Sequence, residues 1–299
     1  MGTSGRHYRP AAHPAANAGG ADASPWELVI SPEDAGWAWS SLRIVRLGPG
    51  ESIEVTADGI EFIVLPLNGS ATVDVGDQSA HLRGRDSVFS AVTDFAYVGL
   101  GQAARITSAG GGRFALPASR ARTELPFRYV PASDVTVEFR GAGPCSRQVV
   151  NFCTPDTFEA DRLIACEVLT PGGNWSSYPP HKHDVERDGE TSLEEIYYFE
   201  VAAGPQGPGM AYQRVYASDE REIDVLEEVR SGDTVLIPHG WHGPSIAAPG
   251  YDLYYLNVMA GPGAERLWLI CDDPSHAWVR QTWQEQEVDP RLPLTRALG

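Results

Sequence analysis

Gly232-Asp-Thr-Val-Leu-Ile-Pro-His-Gly-Trp-His242 holds a turn, a strand and a second turn. Gly232 opens the first turn, Thr234 to Ile237 is a short apolar strand, and Pro238 with Gly240 forces the second turn, which presents His242. Upstream lies a complementary string, His181-Lys-His-Asp184, followed by Glu195 in Glu195-Ile-Tyr-Tyr-Phe199. Successive side chains of an extended strand alternate faces, so His181 and His183 project together and Lys182 points away. Glu195 can add an oxygen ligand from the next strand. Three neutral imidazoles and one carboxylate suit a divalent transition metal, and an ion preferring five or six ligands keeps positions for water or substrate. The blander alternative is a barrel with polar strand ends whose imidazoles are merely hydrogen-bonded. It leaves unexplained why four of the eight histidines fall between 181 and 242.

Around this string the chain is built for strands. Leu42-Arg-Ile-Val-Arg-Leu47, Ile60-Glu-Phe-Ile-Val-Leu65, Ala71-Thr-Val-Asp-Val75 and Ala103-Arg-Ile-Thr107 are short apolar runs separated by Gly, Pro and Asp. Many such runs with few helical patterns predict an all-β protein of antiparallel barrel or sandwich type. Two stretches also echo one another. Glu61-Phe-Ile-Val-Leu-Pro-Leu-Asn-Gly69 matches the segment from Glu195 to Gly204, and Gly84-Arg-Asp-Ser-Val-Phe89 matches Gly232 to Ile237. We read an internal duplication. Its first copy keeps a Glu but has Ser52-Ile-Glu-Val where His-x-His would stand, and no Pro-x-Gly-x-His follows Phe89, so no metal is expected there. The predicted organisation is a flexible tail over residues 1–25, an N-terminal lobe over 26–125 and a metal-binding lobe with a C-terminal arm over 126–299. The arm, Ala277 to Leu292, is a candidate helix or irregular segment whose Trp278 and Trp283 pack on the barrel.

Composition narrows the partners. The net charge is −17, from 23 basic and 40 acidic residues in 299. Such a chain repels phosphate backbones, which argues against nucleic acid and anionic membranes. No apolar run is long enough for a membrane helix, and the N-terminus lacks a signal pattern, so a cytoplasmic protein is expected. Cys145, Cys153, Cys166 and Cys271 form no Cys-x-x-Cys pair and read as small core residues.

The strings around His181 to Glu195 and Gly232 to His242 resemble the paired motifs of the cupin superfamily, and the duplication makes the chain a bicupin, two jelly-roll lobes. The likeness narrows further. Glu138-Phe-Arg-Gly-Ala-Gly143, Ser146-Arg-Gln-Val149, the run from Thr170 to Asp184, Gln213-Arg-Val-Tyr216, the run from Ala248 to Pro262 and Asp273-Pro274 resemble the 5-deoxy-glucuronate isomerases of myo-inositol catabolism. The chain departs from the usual cupin pattern in a polar insert, Asp184 to Glu194, which makes Glu194 a rival to Glu195. Glu195 is preferred because the related keturonate isomerases carry Glu, an aliphatic residue and Tyr, matched by Glu195-Ile-Tyr197.

This resemblance implies conversion of the aldehyde acid 5-deoxy-glucuronate into the ketone 2-deoxy-5-keto-gluconate. Such a shift needs stabilisation of an enediolate oxygen and a base. A divalent ion, whether zinc, manganese, nickel, cobalt or ferrous iron, can provide the first. The substrate's carboxylate calls for a cation. Arg214 is the first choice, Lys182 the second, and His239 stands nearby. As base, Tyr254 or Tyr255, Tyr197, Asp252, His239 and a metal-bound hydroxide stay open. The expected partner is a small sugar acid, with homo-oligomerisation undecided. Two other functions compete: an iron dioxygenase, and a sugar-acid sensor without an output domain.

Overall fold

The β-branched and aromatic runs form antiparallel strands throughout, and helices are confined to single turns such as Pro32–Ala35 and Val279–Thr282. The structure, a computed structural model, describes residues 4–11, 24–218 and 221–295. It divides into two units.

The unit carrying the histidines comprises Met1–Pro10, Thr136–Glu159 and Ile164–Thr295. One of its sheets orders its strands as Tyr8–Arg9, Thr234–Ile237, Glu194–Val201, Leu253–Ala260, Ile164–Thr170, Arg147–Cys153 and Thr136–Arg140. The other runs Arg221–Val229, Ala211–Ser218, Trp241–Ala247, His181–Lys182 and Cys271–Asp272, with Trp175–Ser176 alongside. Tyr197, Phe199, Tyr255 and Val168 from the first sheet share a buried cluster with Val215, Val225 and Ala247 from the second. Two sheets closing on one apolar core make a sandwich, and burial of that shared face is its main stabilisation.

The other unit comprises Ala11–Val135, Ala160–Leu163 and Arg296–Gly299. The nine strands among its described residues belong to one sheet, in which the long strand Ile60–Val75 pairs with four others. Glu61 is fully buried there. Its carboxylate accepts from Tyr97 Oη, from Ser119 Oγ at 3.0 Å, and from the backbone N–H groups of Asp161, Arg162 and Leu163 at 2.6–2.8 Å.

Three expectations need correction. Of the supposed tail, residues 4–9 are ordered: Tyr8 and Arg9 pair with Val235 and Thr234, and Tyr8 Oη reaches Asp233 at 2.8 Å, while residues 12–23 lie outside the described residues. The boundary near 125 moves to Val135/Thr136, because Arg128–Val130 adds a strand to Phe95–Val98 of the N-terminal unit. Trp278 is 58% exposed rather than packed, and the arm is one short helical turn continued by the 3-10 turn Trp283–Glu285. The matched stretches also differ in register. Phe95–Val98 pairs with the strand of Glu61 as Thr234–Ile237 pairs with that of Glu195, whereas Val88 and Phe89 lie in a turn.

Candidate metal centre and its cavity

Antiparallel pairing brings the two sequence strings together. His181 stands directly opposite His242 in register, with ring centroids 4.5 Å apart, and His183 lies 4.7 Å from His242. Gly240, at φ +91°, makes the turn that allows this. A Cβ at that position would come within 2.7 Å of Tyr216 O, so the turn needs glycine. From the facing sheet Glu195 Oε2 lies 3.1 Å from both His183 Nε2 and His242 Nε2. His183, Glu195 and His242 form the tight group, all at most 2% exposed, and His181 adjoins it through His242. Strand alternation turns Glu194 to the other face, half-buried beside Ala260.

The hydrogen bonds prepare these groups for a cation. Each histidine turns Nδ1 to a backbone carbonyl: His181 to Pro179 at 3.4 Å, His183 to Leu193 at 3.3 Å and His242 to Gly240 at 3.2 Å. A proton held at Nδ1 leaves Nε2 as the lone-pair nitrogen. His242 Nε2 is buried without a hydrogen bond, its 3.1 Å approach to Glu195 notwithstanding. Asn257 Nδ2 donates to the other carboxylate oxygen of Glu195. Burial, reinforced by His183, pulls the His181 imidazole down to about 3, and burial with His181 holds His242 well below the ordinary range. Burial also works against protonation of His183, but the Glu195 hydrogen bond and charge outweigh it and raise that imidazole. Two neutral imidazoles, a third in contact with a carboxylate, and an orphaned nitrogen aimed at that carboxylate fit a divalent metal ion.

A cavity of about 270 Å³ adjoins the cluster at His181 and Asn257. Ser177, Tyr197 and Tyr255 give it hydroxyls, Val149, Cys166, Val168, Trp268 and Ile270 apolar walls, and Arg140, Arg147 and Arg280 positive charge. Tyr197 and Tyr255 stack at 4.9 Å, nearly parallel, and their hydroxyls meet Ser177 Oγ at 2.8 Å and Ser176 Oγ at 3.0 Å. Burial first, then the charge of Glu195, holds the Tyr197 phenol well above its usual range. Burial likewise raises Tyr255.

Of the base and substrate candidates singled out from sequence, Tyr197 and Tyr255 line this cavity and five others are engaged elsewhere. Tyr254 Oη donates to Glu167 on the opposite face of the sheet. Asp252 accepts from Gly172 N at 2.8 Å in a loop. Arg214 faces outward, since its neighbours Gln213 and Val215 are the buried ones, and it pairs with Asp224 at 2.5 Å. Lys182 is held by Asp184 and Glu190, both at 2.6 Å. His239 contacts the backbone oxygen of Glu222. None of these five lines the cavity, neither the base candidates Tyr254 and Asp252 nor the substrate-binding candidates Arg214, Lys182 and His239. Sequence reading missed the three arginines; a signal was present in Arg147, a charged residue opening the fully buried strand Arg147–Cys153.

Two antiparallel β units, one with a buried histidine–glutamate cluster inside its sandwich, define a bicupin. The oxalate decarboxylase of Lactobacillus farciminis shares this fold, with a TM-score of 0.57 over 82% of each chain at 14% identity. The chain belongs to the KduI/IolB family, whose model matches residues 15–279. An IolB-like protein from Salmonella typhimurium LT2 superposes with a TM-score of 0.81 at 34% identity, covering 91% of this chain and 98% of that one. The 5-deoxy-glucuronate isomerase of Geobacillus kaustophilus is 38% identical over 85% of this chain and 90% of its own. That of Bacillus subtilis strain 168 is 36% identical over 85% and 91%.

Proposed function

We propose that this chain is a metal-dependent aldose–ketose isomerase that converts 5-deoxy-D-glucuronate to 2-deoxy-5-keto-D-gluconate in myo-inositol catabolism. The observation that carries the reading is the buried His183, Glu195 and His242 cluster beside a small polar cavity, in a chain 38% identical to 5-deoxy-glucuronate isomerases.

The reaction takes a proton from the carbon next to the aldehyde and returns one to the former aldehyde carbon, while negative charge builds on oxygen. A divalent ion supplies stabilisation of that oxygen when bound; zinc, manganese, nickel, cobalt and ferrous iron all suit the donors. His183, Glu195 and His242 would hold it, with His181 beside them. Asn257 fixes the orientation of Glu195 through its amide. Tyr197 keeps its proton because burial and Glu195 oppose the phenolate, so its Oη serves the developing oxygen charge as a hydrogen-bond donor. Ser177 Oγ anchors that hydroxyl, and Tyr255 holds the ring from the side. The apolar walls exclude water from the intermediate.

No helix among the described residues is long and apolar enough to cross a membrane, and the four cysteines form no disulfide. Both accord with a cytoplasmic enzyme acting on a small sugar acid. The test is an assay of the purified, metal-loaded protein on 5-deoxy-glucuronate without oxygen. Formation of the ketone is expected; consumption that requires oxygen would replace isomerisation with dioxygenase chemistry.

A further inference from the structure

Three arginines line the cavity, and their charges are not equally compensated. Arg140 meets Glu138 at 2.5 Å. Arg280 makes two contacts with Asp272, one of them at 2.7 Å. Arg147 is 7% exposed, and among the described residues its hydrogen-bond acceptor is Cys145 O, 3.1 Å from Nη1, with no carboxylate in ion-pair range. An arginine has five N–H donors in a planar fork, so most of this fork is uncommitted.

The surroundings hold the fork in place. The ring of Trp283 lies 5.6 Å from Arg147 Cζ and 5.2 Å from Arg280 Cζ, so one indole faces both cations. Gly141, at φ +73°, makes room: a Cβ there would stand 2.8 Å from Arg147 Nη1 and 2.2 Å from Cys145 O. Burial pulls the guanidinium down to about 10, Tyr255 resisting and the charges of Arg140 and Arg280 adding to the pull. It is still a cation at neutral pH. A buried cation without a counter-ion is costly, and a ligand carboxylate removes that cost by a bidentate, charge-assisted contact.

We propose that Arg147 binds the carboxylate of the substrate, with Arg280 as a flanking cation, and thereby selects sugar acids over neutral sugars. The inference rests on the isomerase reading for the identity of that acid. His181 and Asn257 line the same cavity as Arg147, so one molecule can present its carbonyl end to the histidine cluster and its acid end to the guanidinium.

The experiment compares metal-loaded wild type with Arg147→Gln and Arg147→Lys on two substrates, 5-deoxy-glucuronate and the neutral 5-deoxy-glucose. Arg147→Gln is expected to raise KM for the acid by roughly tenfold or more, with Arg147→Lys in between, and to lower kcat/KM for the neutral sugar by a much smaller factor than for the acid. Equal losses on both substrates, or an unchanged KM for the acid, would overturn the assignment. A second readout needs no turnover. Glucuronate titrated against intrinsic tryptophan fluorescence should saturate in wild type and bind at least about tenfold more weakly in Arg147→Gln. An unchanged Kd overturns the carboxylate site. If Arg147→Gln does not fold, as judged by its thermal transition and metal content, Arg147→Lys carries the same test. Failure of wild type to convert 5-deoxy-glucuronate would remove the isomerase reading, and the fluorescence titration would still decide the role of Arg147.

Discussion

Tyr254 and Tyr255 are consecutive in one strand and hydrogen-bond on opposite faces of it: Tyr254 Oη donates to Glu167 at 2.7 Å, Tyr255 Oη to Ser176 at 3.0 Å. Adjacent phenols thus have unrelated work, one bracing a buried carboxylate outside the cavity and the other forming its wall.

Removing the Tyr254 hydroxyl by Tyr254→Phe takes one donor from Glu167, and we expect a loss of about 1 kcal/mol of stability with kcat kept. Tyr197→Phe loses its Ser177 hydrogen bond at a similar cost of about 1 kcal/mol but should also lower kcat by about 100-fold. Denaturant melts and steady-state kinetics on both variants check this; a large kcat loss in Tyr254→Phe would move the catalytic face to the other side of the sheet.

Metal analysis should find one divalent ion per chain, because the described histidine–carboxylate group occurs once. His183→Ala, His242→Ala and Glu195→Gln should each lose it. Asn257→Leu leaves the ligands but frees Glu195 to rotate, and metal affinity is expected to fall about 10–100-fold. Full retention of metal by all three ligand variants would dismiss the site.

Arg214→Ala should alter kcat/KM by less than about 0.5 kcal/mol, since the side chain is on the outer face and bound to Asp224. A several-fold rise in KM would return the acid-binding role to Arg214.

Burial first, then the charges of His239, Arg6 and Arg9, pulls the His7 imidazole from 6.5 down to about 4. Between those values the unfolded segment binds more protons than the docked one. Docking of residues 4–9 is therefore at full strength above pH 6.5 and is lost progressively as pH falls toward about 4. The protection factors of the Tyr8 and Arg9 amides should fall in wild type as pH is lowered through that window, and His7→Asn should flatten the change. A pH-independent protection factor would contradict the assignment.

Product formed in deuterium oxide should carry deuterium at the former aldehyde carbon if the base exchanges with solvent. The observation that would sink proton-transfer isomerisation altogether is oxygen uptake matching substrate loss.

How much of this was legible in the chain depends on whether a signal is local. The strand alternation of His181, His183, Glu195 and Tyr197 is a property of consecutive residues, and the all-β reading rests on the same period. The same period would have turned Arg214 outward, had the apolar neighbours Val215 and Val225 been set against it. Arg147 and Arg280 were not legible as a pair, since a strand and the C-terminal arm bring them to one indole across more than a hundred residues. The docking of residues 4–9 was hidden for a related reason: a two-residue strand gives no periodicity, and its partner is Thr234–Val235.

Glu61, the acid that sequence matching sets against Glu195, is wholly engaged by its own unit. Three consecutive peptide N–H groups and two hydroxyls now converge on it, so its lone pairs are already assigned. An engineer hoping to make this chain bimetallic by grafting histidines into the N-terminal unit would find the matching carboxylate spoken for by the backbone of residues 161–163. Removing it to make room would unstitch the fold there. The matching acid is a structural anchor, and a second site in that unit would need a different carboxylate.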